Sequence, residues 1–208
     1  AGSGSGYGSA DGQGALAQFY RPTGVAVDAG FNVYVADTRN HTIRKVTPNG
    51  TVTTLAGQAG VAASLDGTGT RALFNYPTGI AVDSQTNLYV ADELNSTLRK
   101  ITPDGTVSTL AGLAGNWGYV DGVGSAARFD RLQGIALDAA GNLYVADAGN
   151  NRIRKITPAG LVTTYAGNGV ANSSVEGALL TAGINGPYGI VINQATNTMY
   201  VSSSSNDI

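Results

Sequence analysis

Carboxylates and guanidinium groups are the reactive side chains of this sequence, and they recur at a fixed distance. Asp28, Asp83 and Asp138 lie 55 residues apart, as do Asp37, Asp92 and Asp147 and the series Asp11, Asp66, Asp121 and Glu176. Arg44-Lys45, Arg99-Lys100 and Arg154-Lys155 keep the same spacing. A ring of carboxylates suits a hard cation such as Ca²⁺. A basic stripe suits a polyanion. A folding role competes with both. Asp37, Asp92 and Asp147 are each followed three residues later by Asn40, Asn95 and Asn150, and such short polar side chains bond the amides of their own turn. Asp28, Asp83 and Asp138 fit the same turn chemistry. Adjacent Arg and Lys on a strand point to opposite faces, so they do not form one patch. An Arg in this position pairs with a neighbouring carboxylate or packs its stem.

Composition removes several classes of chemistry. The chain has 208 residues, no Cys, one His, a net charge of −2 and 12% charged residues. Without Cys there is no disulfide framework, thiolate metal site or thiol nucleophile. A Ser-His-Asp arrangement would have to use His41, which shares its column with Ser96 and Asn151. The charge balance provides no basic patch, so nucleic acid is not an expected partner. No apolar run is long enough for a membrane span. The opening AGSGSGYGSA has neither a basic flank nor an apolar stretch, so no signal peptide is read in it.

The elements that must position these residues are themselves a repeat. Segments starting at Pro22, Pro77 and Leu132 align without a gap, and a fourth starts at Pro187 with Asn193 in place of Asp and one extra residue before Met199. Within the first, Gly-Val-Ala-Val-Asp reads as a strand buried on both faces. Asn32 to Ala36 reads as a second strand, Thr42 to Thr47 as a third and Thr51 to Leu55 as a fourth, with a hairpin turn at Pro48-Asn49-Gly50. Tyr34, Tyr89, Tyr144 and Tyr200 recur in the second strand as core or semi-core residues. Phe19, Phe74, Phe129 and Ile184 recur in the spacer as apolar anchors.

The recurring P-x-G-I/V-A-V-D, N-x-Y-V-A-D, N-x-x-I/L-R-K-I/V-T-P and T-L-A-G segments resemble the NHL-repeat family, in its bacterial-type 55-residue form. The resemblance implies an all-β fold, a β-propeller of four-stranded antiparallel blades, with units at about 11–57, 66–112, 121–167 and 176–208 within an NHL-repeat region spanning 1–208. The last unit is incomplete, giving about 3.7 blades of a propeller that in this family closes at six. An open propeller exposes the apolar faces of its terminal blades, so further blades of a longer chain, or another protein chain, are expected partners.

Function is expected where the repeat is not kept. One position of the long loop between blades reads Tyr7, Ala62, Trp117 and Asn172, and Trp117 and Tyr119 sit in a Gly-rich stretch. Exposed there, they suit a glycan or protein contact; folded back, they would cover their own loop. Asn40, Asn49, Asn95 and Asn172 open Asn-x-Ser/Thr sequons. The resulting expectation is a non-catalytic binding or scaffold module, extracellular or on a cell surface, with no cofactor other than a candidate Ca²⁺. The alternative is a propeller enzyme of lactonase or lyase type with a hard metal ion in the central channel. Lyases of that type need His ligands. The inner-strand openings where a lactonase-type site would sit carry Gly24, Gly79, Gly134 and Gly189.

Overall fold

Short runs of β-branched and aromatic residues between Gly- and Asn-rich turns fold each copy into antiparallel strands. The structure, a computed structural model, describes residues 2, 6–172 and 175–204. Two compact units are present: Ala1–Asn95 with Arg99–Ser108, and Ser96–Leu98 with Thr109–Ile208.

The first sheet runs from edge to edge as Gly12–Gln13, Thr51–Ala56, Thr42–Val46, Val33–Asp37 and Gly24–Val27. The second has the same order: Gly67–Thr68, Thr106–Ala111, Thr97–Ile101, Leu88–Asp92 and Pro77–Val82. The third is Gly122–Val123, Leu161–Ala166, Arg152–Ile156, Leu143–Asp147 and Leu132–Leu137. The fourth copy contributes the pair Pro187–Asn193 and Thr198–Ser203. These sheets are the blades expected from the repeat. They differ from that expectation in one element. Each complete blade has a fifth strand of two residues, which comes from the spacer and pairs with the fourth strand (Gly12 opposite Val52, Gly122 opposite Val162). Two residues are too few to show a period-two pattern in sequence.

A bulge recurs in the same place in the first and third blades. Ile43 pairs with Ala56, but Arg44 pairs with Thr54, skipping Leu55; Ile153 and Arg154 repeat this against Ala166 and Thr164. A bulge re-aims one side chain relative to the ladder. Here it brings Arg44 and Thr54 to the same carboxylate, Asp11.

Blades pack through apolar faces. In the first unit, Tyr34, Ala36, Ile43 and Ala56 pack with Phe74, Ile80, Leu88, Val90 and Ile101. In the second unit, Tyr144, Ala146, Ile153 and Ala166 pack with Ile184, Ile190, Ile192, Met199 and Val201. The glycine at the inner-strand opening permits this approach. A Cβ on Gly24 would lie well inside contact distance of the Thr78 carbonyl oxygen, and one on Gly134 would lie 2.5 Å from the Tyr188 carbonyl oxygen. The inner strand of the first blade departs from its expected two-sided burial. Val25 and Val27 are exposed, whereas Ile80 in the Val25 column is buried.

Candidate functional site

The charged columns close on one another within each copy. Arg44, Arg99 and Arg154 are fully buried. The Arg99 Nη1 donates to Asp92 at 2.8 Å and to the Leu73 carbonyl at 3.0 Å; its Nη2 donates to Asp66 at 2.7 Å and to the Leu65 carbonyl at 2.9 Å. Arg44 joins Asp37, Asp11 and the carbonyls of Gln18 and Ala10 in the same way, and Arg154 joins Asp147, Asp121 and the carbonyls of Arg128 and Val120. Each guanidinium also lies over a spacer ring: 5.1 Å from the centroid of Phe19, 5.1 Å from Phe74 and 5.2 Å from Phe129. The Phe column thus anchors the spacer against a cation as well as against apolar neighbours.

Asp37, Asp92 and Asp147 differ from the expected turn role. Their carboxylates accept the amide N–H groups of Tyr20, Asn75 and Asp130, the side-chain amides of Asn40, Asn95 and Asn150, and the arginines. They bind the spacer to the blade rather than closing the turn, because the buried Arg two strand positions into the next strand outcompetes the turn amides. Asp28, Asp83 and Asp138 do serve turns. Each accepts the backbone N–H and side-chain amide of Asn32, Asn87 or Asn142, and the hydroxyl of Tyr34, Tyr89 or Tyr144 at 3.0, 3.1 and 3.4 Å. Asn193 keeps this turn in the fourth copy by accepting the N–H of Ala195.

The two sets of carboxylates titrate in opposite senses. Burial pushes Asp92 and Asp147 up to about 6, against the pull of their arginine and amide partners. Burial also opposes ionisation of Asp28, Asp83 and Asp138, but there the asparagine and backbone donors outweigh it and hold the carboxyls below their ordinary range. The tyrosine hydroxyls beside them respond in turn: burial and the adjacent carboxylates push Tyr34 and Tyr89 up to about 12. The raised pair contributes stability that is full at low pH and fades as pH rises through about 6; the lowered set contributes stability that is full above its ordinary value and fades as pH falls. The melting temperature is therefore expected to peak at about pH 4 and to decline as pH rises to about 6, with Asp92→Asn flattening that decline. Thermal melts across this range check it, and a melting temperature that climbs steadily to about pH 8 contradicts it.

His41, with no assigned role from sequence, is a strut between blades. It has a left-handed φ of 59° at the end of the turn Thr38–Asn40, and its Nδ1 accepts the Tyr76 backbone N–H at 3.1 Å. Burial lowers its pKa, consistent with a neutral acceptor ring. Asn151, in the same column, accepts the Gly186 N–H at 2.8 Å in the second unit. A polar acceptor one residue past a recurring Asn was the only trace of this in the sequence.

The loop residues behave differently. Tyr7 is 74% exposed and stacks on Tyr20, with ring centroids 4.4 Å apart. Trp117 is 75% exposed and Tyr119 is 62% exposed, so neither folds back over its loop. The Arg152 guanidinium lies 4.6 Å from the Tyr119 centroid. Asn172 is exposed, and its sequon continues into residues 173 and 174, which lie outside the described residues. Asn49 is exposed in its hairpin. Asn40 and Asn95 are buried, and their side-chain nitrogens donate to Asp37 and Asp92 and to loop carbonyls, so these two sequons are closed to modification in the folded chain. No group of three or more metal-ligating side chains gathers among the described residues.

The same repeat is recognisable in other proteins. Residues 19–46, 74–101 and 129–156 match the NHL repeat, each at the same phase of the 55-residue period. The chain belongs to the NHL-repeat propellers. NHL repeat-containing protein 2 of Bos taurus is 33% identical over 148 residues, which is 65% of this chain and 20% of that protein. Among solved structures, a protein of unknown function from Bacteroides thetaiotaomicron aligns with 88% of this NHL chain and 45% of its own at a TM-score of 0.73 and 28% identity. An auxiliary nutrient binding protein from Bacteroides ovatus aligns with 90% of this chain and 47% of its own at a TM-score of 0.70 and 20% identity. The NHL chain thus spans a fifth of that relative and under half of each structure, and the propeller fold is what they share.

Proposed function

We propose that this NHL-repeat region is a non-catalytic binding module, extracellular or on a cell surface, whose contact surface is built from the loops between blades. The supporting observation is the exposed Trp117–Tyr119 pair. Two large aromatic rings stand in solvent on a glycine-rich loop, and Arg152 steadies one of them by a cation–π contact. Rigid exposed aromatics are the side chains that anchor contacts to glycans and proteins.

The recurring ionisable columns favour this reading over a lactonase-like or lyase-like site. The nine aspartates of the repeat columns accept hydrogen bonds that hold turns and spacers, and the His41 Nδ1 is taken by a backbone amide. At Gly24 and Gly134 a ligand-bearing side chain has no room beside the neighbouring inner strand. The first blade also presents an apolar groove of about 370 Å³ lined by Phe19, Pro22, Thr23, Val25, Val33, Val35 and Val46. The corresponding face of the second blade is covered by the first, and we assign a further blade, of this or another chain, to the groove.

Screening the purified chain against immobilised glycans and candidate proteins tests the proposal. Trp117→Ala and Tyr119→Ala are each expected to weaken the binding about tenfold or more with an unchanged melting temperature. Binding of a neutral glycan or a protein that ignores both substitutions, or turnover of a lactone or glycan substrate by the purified chain, overturns it.

A further inference from the structure

A second aromatic cluster lies in the first unit, entirely on residues where the repeat is not kept. Tyr7 stacks on Tyr20 with rings 20° from parallel. The Arg39 guanidinium lies 5.7 Å from the Tyr20 centroid and 5.8 Å from the Tyr76 centroid. Tyr76 meets His41 edge-on at 5.0 Å. The columns of these residues read Tyr7/Ala62/Trp117, Tyr20/Asn75/Asp130, Arg39/Leu94/Gly149 and Arg21/Tyr76/Arg131 elsewhere in the chain. Folding therefore does not require any of them, since the other copies form the same blade with Leu, Gly or Asn in their place.

The position of Arg39 is informative. It is exposed at the turn Thr38–Asn40. Its backbone N–H is bonded to the Tyr20 carbonyl, which anchors the main chain at this turn. Its guanidinium touches only rings, and among the described residues no carboxylate or carbonyl takes its donors. This contrasts with Arg44 five residues later, where four donor contacts are filled. An exposed guanidinium near two tyrosine rings, with its donors untaken, leaves its planar fork available, and that fork is what grips a carboxylate by two parallel hydrogen bonds. The Tyr7 ring alongside offers a flat apolar surface, matched to the C–H face of a pyranose ring.

We infer that Tyr7, Tyr20, Arg39 and Tyr76 form a binding site for an acidic oligosaccharide, with one sugar ring against Tyr7 and the carboxylate of a uronic acid on Arg39. This rests on the loop-binding reading above and adds to it a separate location and a ligand class. A single cation between aromatic rings fits one carboxylate per sugar. A polyphosphate backbone needs several cations in line, and the chain carries a net charge of −2.

The test is calorimetric titration of the intact chain with oligogalacturonate, oligomannuronate and oligoguluronate, and with their methyl esters, which keep the ring and remove the carboxylate charge. At least one free acid is expected to bind, with its ester weaker by about tenfold. Arg39→Leu, which installs the residue of the second copy, is expected to abolish the preference for acid over ester without lowering the melting temperature. Arg39→Lys should recover only part of it, because an ammonium lacks the fork. Tyr7→Ala should weaken acid and ester alike. No binding of any uronate, equal binding of acid and ester, or an Arg39-dependent affinity for a single-stranded RNA oligomer overturns the inference. If neutral glycans or a protein still bind in a Trp117-dependent manner, the broader binding proposal stands without it.

Discussion

Replacing Arg99 by methionine is expected to destabilise the fold by about 3–5 kcal/mol, among the largest losses any single side chain here can give. The methionine fills much of the same volume, so the loss is electrostatic. Asp92 is left buried with only amide partners, so it either carries an uncompensated charge or must take up a proton, and the carbonyls of Leu65 and Leu73 lose the arginine and keep only each other's N–H. Asp66 keeps part of its hydration because its side chain is half exposed, so the Arg99–Asp92 arm carries most of the effect. Pairing the change with Asp92→Asn removes the orphaned charge and is expected to restore a large part of the loss. Urea unfolding of the single and double variants measures this. A loss below about 1 kcal/mol for Arg99→Met would mean that the pair behaves like a surface salt bridge.

Gly24→Ala is the second large effect. The added methyl group meets the Thr78 backbone oxygen, which cannot rotate away, so the inner strands of the first two blades must separate. Overpacking of this kind typically costs about 1–3 kcal/mol, and here the separation also loosens the apolar contacts between Tyr34 and Leu88 columns. Gly134→Ala should act in the same way on the second unit, against Tyr188. Hydrogen exchange resolves the two cases. Each substitution is expected to raise exchange in the inner strand pair of its own unit, and uniform exchange across the chain would refute the local origin.

The strands, their order and the Asp28-type turns were legible in the sequence because they depend on short-range patterns. The alternation from Thr42 to Val46 and the Asp-to-Asn spacing of the turns both act within a few residues. The ion staple was not legible in full. Arg99 finds its partners 7, 26 and 33 residues earlier, and no local rule says that Asp66 rather than a neighbouring blade will supply the second carboxylate. The shared 55-residue period of Asp11, Asp66 and Asp121 with the arginines was the available signal. The bulge that aims Arg44 and the two-residue outer strand are too short to show a strand alternation, and the His41 strut leaves only a polar residue one past the recurring Asn. Trp117 and Tyr119 stood out as aromatics with little local support. The Tyr7–Tyr20–Arg39–Tyr76 cluster did not, since its members come from four separate stretches that only the blade brings together.

The direction in which the staple closes has a bearing on synthesis. Every partner of Arg99 precedes it in the chain, the farthest by only 34 residues at Leu65, and the same holds for Arg44 and Arg154. A chain growing from its N-terminus therefore holds everything a blade needs for its internal lock as soon as the third strand emerges, before the next copy has been made. Each blade can complete its charge pairing while the following one is still being translated, which lowers the chance that an arginine is captured by the wrong repeat in a chain of near-identical units.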